Sequence, residues 1–132
     1  MKKFLSVFLT LMLAITCLAF TGCSVPKNPD KAIKNLEENG YAASAITELD
    51  ELNEMLEDIP GIPAGKVEAI VMGGSLTSSI TIFYCVDKEA AKNLEEALDE
   101  YADDNPYFEN MEVGRKGKRV WVGDESAIKA AK

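Results

Sequence analysis

The chain has 132 residues, with 22 Asp and Glu against 14 Lys and Arg, a formal net charge of -8, and no histidine. So large an acid excess argues against nucleic acid as a partner, because phosphate contacts need clustered Lys and Arg. The missing histidine removes the most versatile general base, the commonest metal ligand and the near-neutral proton switch, so no cofactor and no metal are expected.

The amino terminus is organised in three zones. Lys2 and Lys3 are basic, Phe4 to Phe20 carry no charge and are mostly apolar, and the small residues Thr21 and Gly22 precede Cys23. Basic start, apolar run and small residues before a cut are the layout of a secretory signal peptide. Phe20-Thr21-Gly22-Cys23 resembles the lipobox of bacterial lipoproteins, with Phe20 standing where Leu is usual. The resemblance implies that the Cys23 sulfur receives a diacylglycerol, that cleavage falls between Gly22 and Cys23, and that the new amino terminus is acylated as well. Two rival readings stay open. Cys17 is another candidate acceptor, although Thr16 before it matches poorly, and an uncharged run of this length is close to the ~20 residues that span a bilayer. On each reading Lys2 and Lys3 stay cytoplasmic and the remainder is exported. The expected location is therefore the cell membrane, lipid-anchored on its extracytoplasmic side.

This divides the chain into a signal peptide at 1–22, a lipidated tether at 23–29 and a single domain at 30–132. A domain of about 100 residues can bury roughly 65% of its unfolded surface. Loss of Lys2 and Lys3 takes the net charge to -10. Such acidity should repel anionic lipid and leave the acyl groups as the anchor. Cys17 leaves with the signal and Cys23 carries lipid, so Cys85 is alone and the domain must rely on its core rather than on a disulfide.

Within the domain, Asn28-Pro29-Asp30 reads as a helix start with Ile33 and Leu36 on its apolar stripe, and Gly40 as its stop. Tyr41–Thr47 reads as a weak strand. Thr47 and Asp50 have the spacing of a capping box, ahead of Leu49, Leu52, Leu56 and Ile59 at helical intervals. Residues 60–65 break that helix. Val67–Met72 and Ser79–Val86 read as a hairpin around Gly73-Gly74-Ser75. Asp87 caps a helix whose Ala90, Ala91, Leu94, Ala97, Leu98 and Tyr101 share one face, and Asn105-Pro106 ends it. Met111–Arg115 and Arg119–Gly123 form a second hairpin, and Asp124 caps a closing helix through Ala127, Ile128 and Ala131.

The fold class expected is α+β: an antiparallel sheet with helices packed on one face, in ferredoxin-like (split βαβ) order, plus an extra C-terminal hairpin strand and helix. Leu36 to Tyr41 (Leu-x-x-x-Gly-Tyr) and Val120 to Ala127 (Val-x-Val-Gly-Asp-x-x-Ala) are similar to small bacterial lipoproteins. That second likeness carries no activity with it.

Several groups could carry chemistry. Cys85 has no histidine beside it and apolar neighbours in Phe83, Tyr84 and Val86, which reads as a buried structural thiol. The acids Glu95, Glu96, Asp99, Glu100, Asp103 and Asp104 alternate with Leu94, Ala97, Leu98 and Tyr101, the pattern of a solvated helix face. Gly73-Gly74-Ser75 precedes a strand rather than a helix, which argues for a turn over a phosphate cradle. The basic tip Arg115, Lys116, Lys118 and Arg119, with Trp121 close by, has two readings: a solvated turn whose charges discourage edge-to-edge strand pairing, or a patch that meets lipid headgroups, an anionic polymer or an acidic envelope protein. The function expected is that of an envelope-anchored, non-catalytic binding or accessory module. The alternatives are a small histidine-free enzyme using carboxylates or Cys85, and a lipoprotein that self-associates through its strand edges.

Overall fold

The computed structural model describes residues 24–57 and 65–132. Gly22 and Cys23, Ile59 and most of the loop expected at 60–65 lie outside them.

Helix α1 spans Pro29–Glu38. Asn28 Oδ1 accepts the Asp30 amide at 2.9 Å, and Pro29 occupies the first turn, where no amide partner is needed. Its exit is a two-bond glycine cap. The Tyr41 amide donates to the Leu36 carbonyl at 3.0 Å and the Gly40 amide to Glu37 at 3.1 Å, with Gly40 at φ +85°. Strand β1 (Ala42–Ile46) follows, then α2 (Leu49–Leu56). The capping box expected at Thr47 and Asp50 does not form. Glu48 holds the cap position without a side-chain cap bond, and α2 is secured instead by burial of Leu52 and Leu56.

Next come β2 (Val67–Gly74), β3 (Ser79–Cys85), α3 (Lys88–Asp104) and a 3-10 turn at Pro106–Phe108. Strands β4 (Glu112–Lys116) and β5 (Arg119–Gly123) and helix α4 (Glu125–Ala131) complete the described chain. Asp87 and Asp124 cap α3 and α4 as expected, accepting the amides of Ala90 at 2.7 Å and Ala127 at 3.0 Å.

The protein is thus α+β, but the arrangement differs from expectation in two ways. The sheet order is β1-β2-β3-β5-β4 and every neighbouring pair is antiparallel. One split βαβ unit is present, since β3 and β4 run parallel on either side of β5 and are joined through α3. The ferredoxin-like order needs a second, and β1 and β2, joined through α2, are instead antiparallel neighbours. Helix α2 has eight residues, so it is ~12 Å long against ~27 Å for the eight residues of β2. It turns the chain beside β1 rather than returning it for a parallel pairing.

The helices also lie on both faces, not one. Helices α1 and α4 enclose a core of Leu36, Val71, Ile80, Ile82 and Ile128, while α2 and α3 enclose one of Leu52, Ile70, Phe83, Leu94 and Val120. Neighbours in one strand, such as Ile70 and Val71, belong to opposite cores because side chains alternate across the sheet. Burial of all four residues Ile82 to Cys85 has this cause.

Candidate functional site

The site grows from one end of the sheet, where β3 finishes, the β4–β5 hairpin turns and the described chain begins at Ser24. The hairpin loop has two residues, since Lys116 pairs with Arg119. Gly117 has φ +60°, as the first position of a type II′ turn requires. That turn holds Lys116 and Lys118 out in solvent.

Arg119 does not join them. It pairs across the sheet with Tyr84 and shares that residue's face. Its side chain is only 6% exposed, and Nη2 donates to Ser24 Oγ at 3.0 Å. Its Nε has no hydrogen-bond partner, and among the described residues no carboxylate lies within ion-pair reach of it. Burial pulls the Arg119 pKa below its ordinary value, while the neighbouring Tyr84 works in the opposite direction. The Tyr84 hydroxyl is pushed up to about 12 by burial, with Arg119 opposing, and it donates to the Pro26 carbonyl at 2.9 Å.

Ser24 to Asn28, expected as part of a polar tether, is therefore part of the fold. Val25 is fully buried in the α1–α4 core, Ser24 is held by Arg119 and Pro26 by Tyr84. The sequence carries little sign of this, because Val25 is the only large apolar residue in a stretch of Ser, Pro, Lys and Asn.

The other expected contact residues separate. Arg115 Nε donates to Glu95 Oε1 at 3.3 Å, which ties it to α3. Trp121 is half-buried and faces the α1–α4 side, while Val120 and Val122 face the other, because side chains alternate along a strand. The indole lies over Gly114, its partner across β4–β5. At the opposite end of the sheet, Leu76 is fully exposed in the β2–β3 turn and Tyr107 is 86% exposed, neither marked by a sequence pattern.

Two cavities meet at Arg119. One of 350 Å³ is lined by Lys27, Glu68, Tyr84, Lys88 and Lys118, and one of 490 Å³ by Ser24 to Asn28 with Lys31 and Lys116. Lys27, Lys31 and Lys88 reach this end from segments remote in sequence, so only the fold gathers them.

Of the remaining chemical candidates, Cys85 borders the smaller of these cavities and the others stand apart. Cys85 is buried, and its thiol is pushed up to about 11 by that burial, then by Asp87 and Glu68. Asp99, Asp103, Asp104 and Glu109 border an open groove of 600 Å³ at the end of α3, each exposed. Among the described residues no group of three or more carboxylate or thiol ligands is placed to hold a metal ion. Asp99 is raised by partial burial, then by Glu95 and Asp103. The Gly73–Ser75 stretch ends β2 and enters a turn closed by the Ser75 amide donating to the Ser78 carbonyl at 2.8 Å.

No known protein family, curated protein or solved structure matches the chain.

Proposed function

We propose that the mature chain is a lipid-anchored module on the outer side of a bacterial membrane, acting by binding rather than by catalysis. The observation that carries the reading is the pairing of a lipobox-like Phe20-Thr21-Gly22-Cys23 with a chain that is already buried two residues later, at Val25. Acyl groups on Cys23 would then fix a folded domain beside the bilayer rather than trail it on a loose tether. Two or three chains, each methylene contributing about 0.8 kcal/mol, make release negligible where one chain holds only marginally. A non-catalytic role is supported by the character of the chemical groups. The Cys85 thiol is held protonated by its surroundings; of the α3 carboxylates, Glu95 is tied to Arg115 and the others face solvent, where nothing orients them toward a substrate.

The test is metabolic labelling with a fatty acid in a bacterial host, with fractionation and an intact mass. The expected product lacks residues 1–22, carries label and sediments with membranes, and Cys23→Ser abolishes label and cleavage together. An unlabelled, full-length protein in the cytosol would overturn the reading. Crosslinking of the anchored form, compared with Cys23→Ser, then identifies what the module meets at the envelope.

A further inference from the structure

We propose that the end of the domain that holds Ser24 is a seat for anionic phospholipid headgroups, with the buried Arg119 guanidinium placed to receive a headgroup phosphate. The proposal takes its location from the lipid-anchor reading and its chemistry from the side chains.

Among the described residues, six basic side chains line the two cavities that meet there: Lys27, Lys31, Lys88, Lys116, Lys118 and Arg119. Of the described acids, only Glu68 does. In a chain richer in acid than base, that is the reverse of the balance an unselected surface would show. Arg119 adds an independent observation. It is buried, bonded to a neutral hydroxyl, and its Nε is unpartnered. A buried cation is costly without an anion, and phosphate oxygens fit the fork of guanidinium donors two at a time. The five lysines are exposed and on flexible stems, suited to a fluid array of phosphates.

Glu68, Asp87 and Glu89 stand at this end among the cations, while most of the α3 acids lie further off. Helix α3 starts at Lys88, beside the cavity, and carries its acids away to Asp104, ~24 Å along the axis. That is about three Debye lengths at physiological ionic strength. Each Lys or Arg near an anionic surface contributes about 1 kcal/mol, so the local cations decide which end faces the lipid. The acyl groups hold the protein, and the cations orient it.

The test uses the purified full-length gene product inserted into vesicles of phosphatidylcholine alone, or of phosphatidylcholine mixed with phosphatidylglycerol. Lysine acylation by a water-soluble reagent is read site by site by mass spectrometry, with Lys129 on α4 as the internal reference. On the anionic vesicles, Lys27, Lys31, Lys116 and Lys118 should be protected several-fold relative to Lys129, and high salt should remove the protection. Lys116→Glu with Lys118→Glu changes two exposed residues and leaves the core intact; it should remove the protection at Lys27 and Lys31. Equal labelling on both vesicle types overturns the proposal, and equal protection by inorganic phosphate on neutral vesicles overturns lipid as the occupant. The mass of the same preparation reports Cys23 acylation separately. An acylated product without protection sinks this inference and leaves the anchor standing. An unacylated product held by its apolar segment sinks the anchor, while protection is still read.

Discussion

Gly114 and Trp121 face one another across β4–β5, and a Cβ on Gly114 would stand 2.5 Å from ring atoms of the indole. A glycine within a strand is unfavourable by about 0.5–1 kcal/mol, and here the ring covers what the missing side chain leaves open. Gly114→Ala should displace the indole or shift β4, costing about 1–3 kcal/mol as overpacking does. Trp121 is the only tryptophan, so its emission should move to longer wavelength as the urea midpoint falls. If neither moves, the ring does not hold that place. A second effect comes from protons. Cys85 is raised from 9.0 to about 11, first by burial and then by Asp87 and Glu68, and Tyr84 from 10.0 to about 12, by burial against the pull of Arg119. The unfolded chain gives up both protons at lower pH than the folded one. Their contribution to stability is complete below 9.0 and is lost as pH rises through the interval to about 11, with Tyr84 adding loss from 10.0 upward. In Cys85→Ala the alkaline decline of the urea midpoint should begin later than in the parent. An unchanged onset would mean that the thiol ionises as freely in the folded protein as in the unfolded chain.

At the scale of elements, Asp124 does more than cap α4. One carboxylate oxygen accepts the Ala127 amide at 3.0 Å and the Ser78 hydroxyl, and the other accepts the Ser79 amide at 2.7 Å. Tyr41 donates to Ser78 at 2.9 Å, so a single carboxylate joins the α1 exit, the β2–β3 turn and the closing helix. Burial raises its pKa, but the hydrogen bonds from Ser78, Ala127 and Ser79 outweigh that, and the carboxyl is held below its ordinary value. A depressed carboxyl contributes stability above its unfolded pKa and loses it as pH falls through the folded one. Asp124→Ala should therefore cost about 1–2 kcal/mol at neutral pH, the upper part of the range for a lost cap. The gap from the parent in urea unfolding should close as the medium becomes acidic; a gap independent of pH would assign the loss to packing. The cap itself was legible from sequence, as were Asn28, Asp87 and the Gly40 stop, because capping depends on residues within one turn of each other. What was not legible needed contacts far apart in the chain. The unbroken apolar runs Ala69 to Val71 and Ile82 to Cys85 are the mark of strands covered on both faces. Weighed against the alternation expected for one covered face, they were the available signal for the two-sided packing. Arg119 gave no such signal, since an arginine beside a turn ordinarily points to water.

For the whole molecule, the distance between anchor and fold decides how the domain sits. Val25 lies in the core two residues after Cys23, and two residues span at most ~7 Å. A domain of about 100 residues has a radius of gyration near 13 Å, so such a link is short against the body it holds. On the anchor reading, the β4–β5 end is kept near the bilayer whatever the salt, and the exposed Leu76 and Tyr107 stand at the far end. Inserting a Gly/Ser stretch of about ten residues between Cys23 and Ser24 adds roughly 17 Å of root-mean-square reach, which separates the two contributions. The parent should show strong energy transfer from Trp121 to a bilayer dye at all salt concentrations, because covalent proximity dominates. The extended form should match it on anionic vesicles at low salt and lose transfer as salt rises, because only the screened attraction of the lysines then keeps the domain down. Loss of transfer at every salt concentration would mean that the basic end has no affinity of its own. Transfer independent of both insert and salt would mean that the domain is held by a surface other than this one.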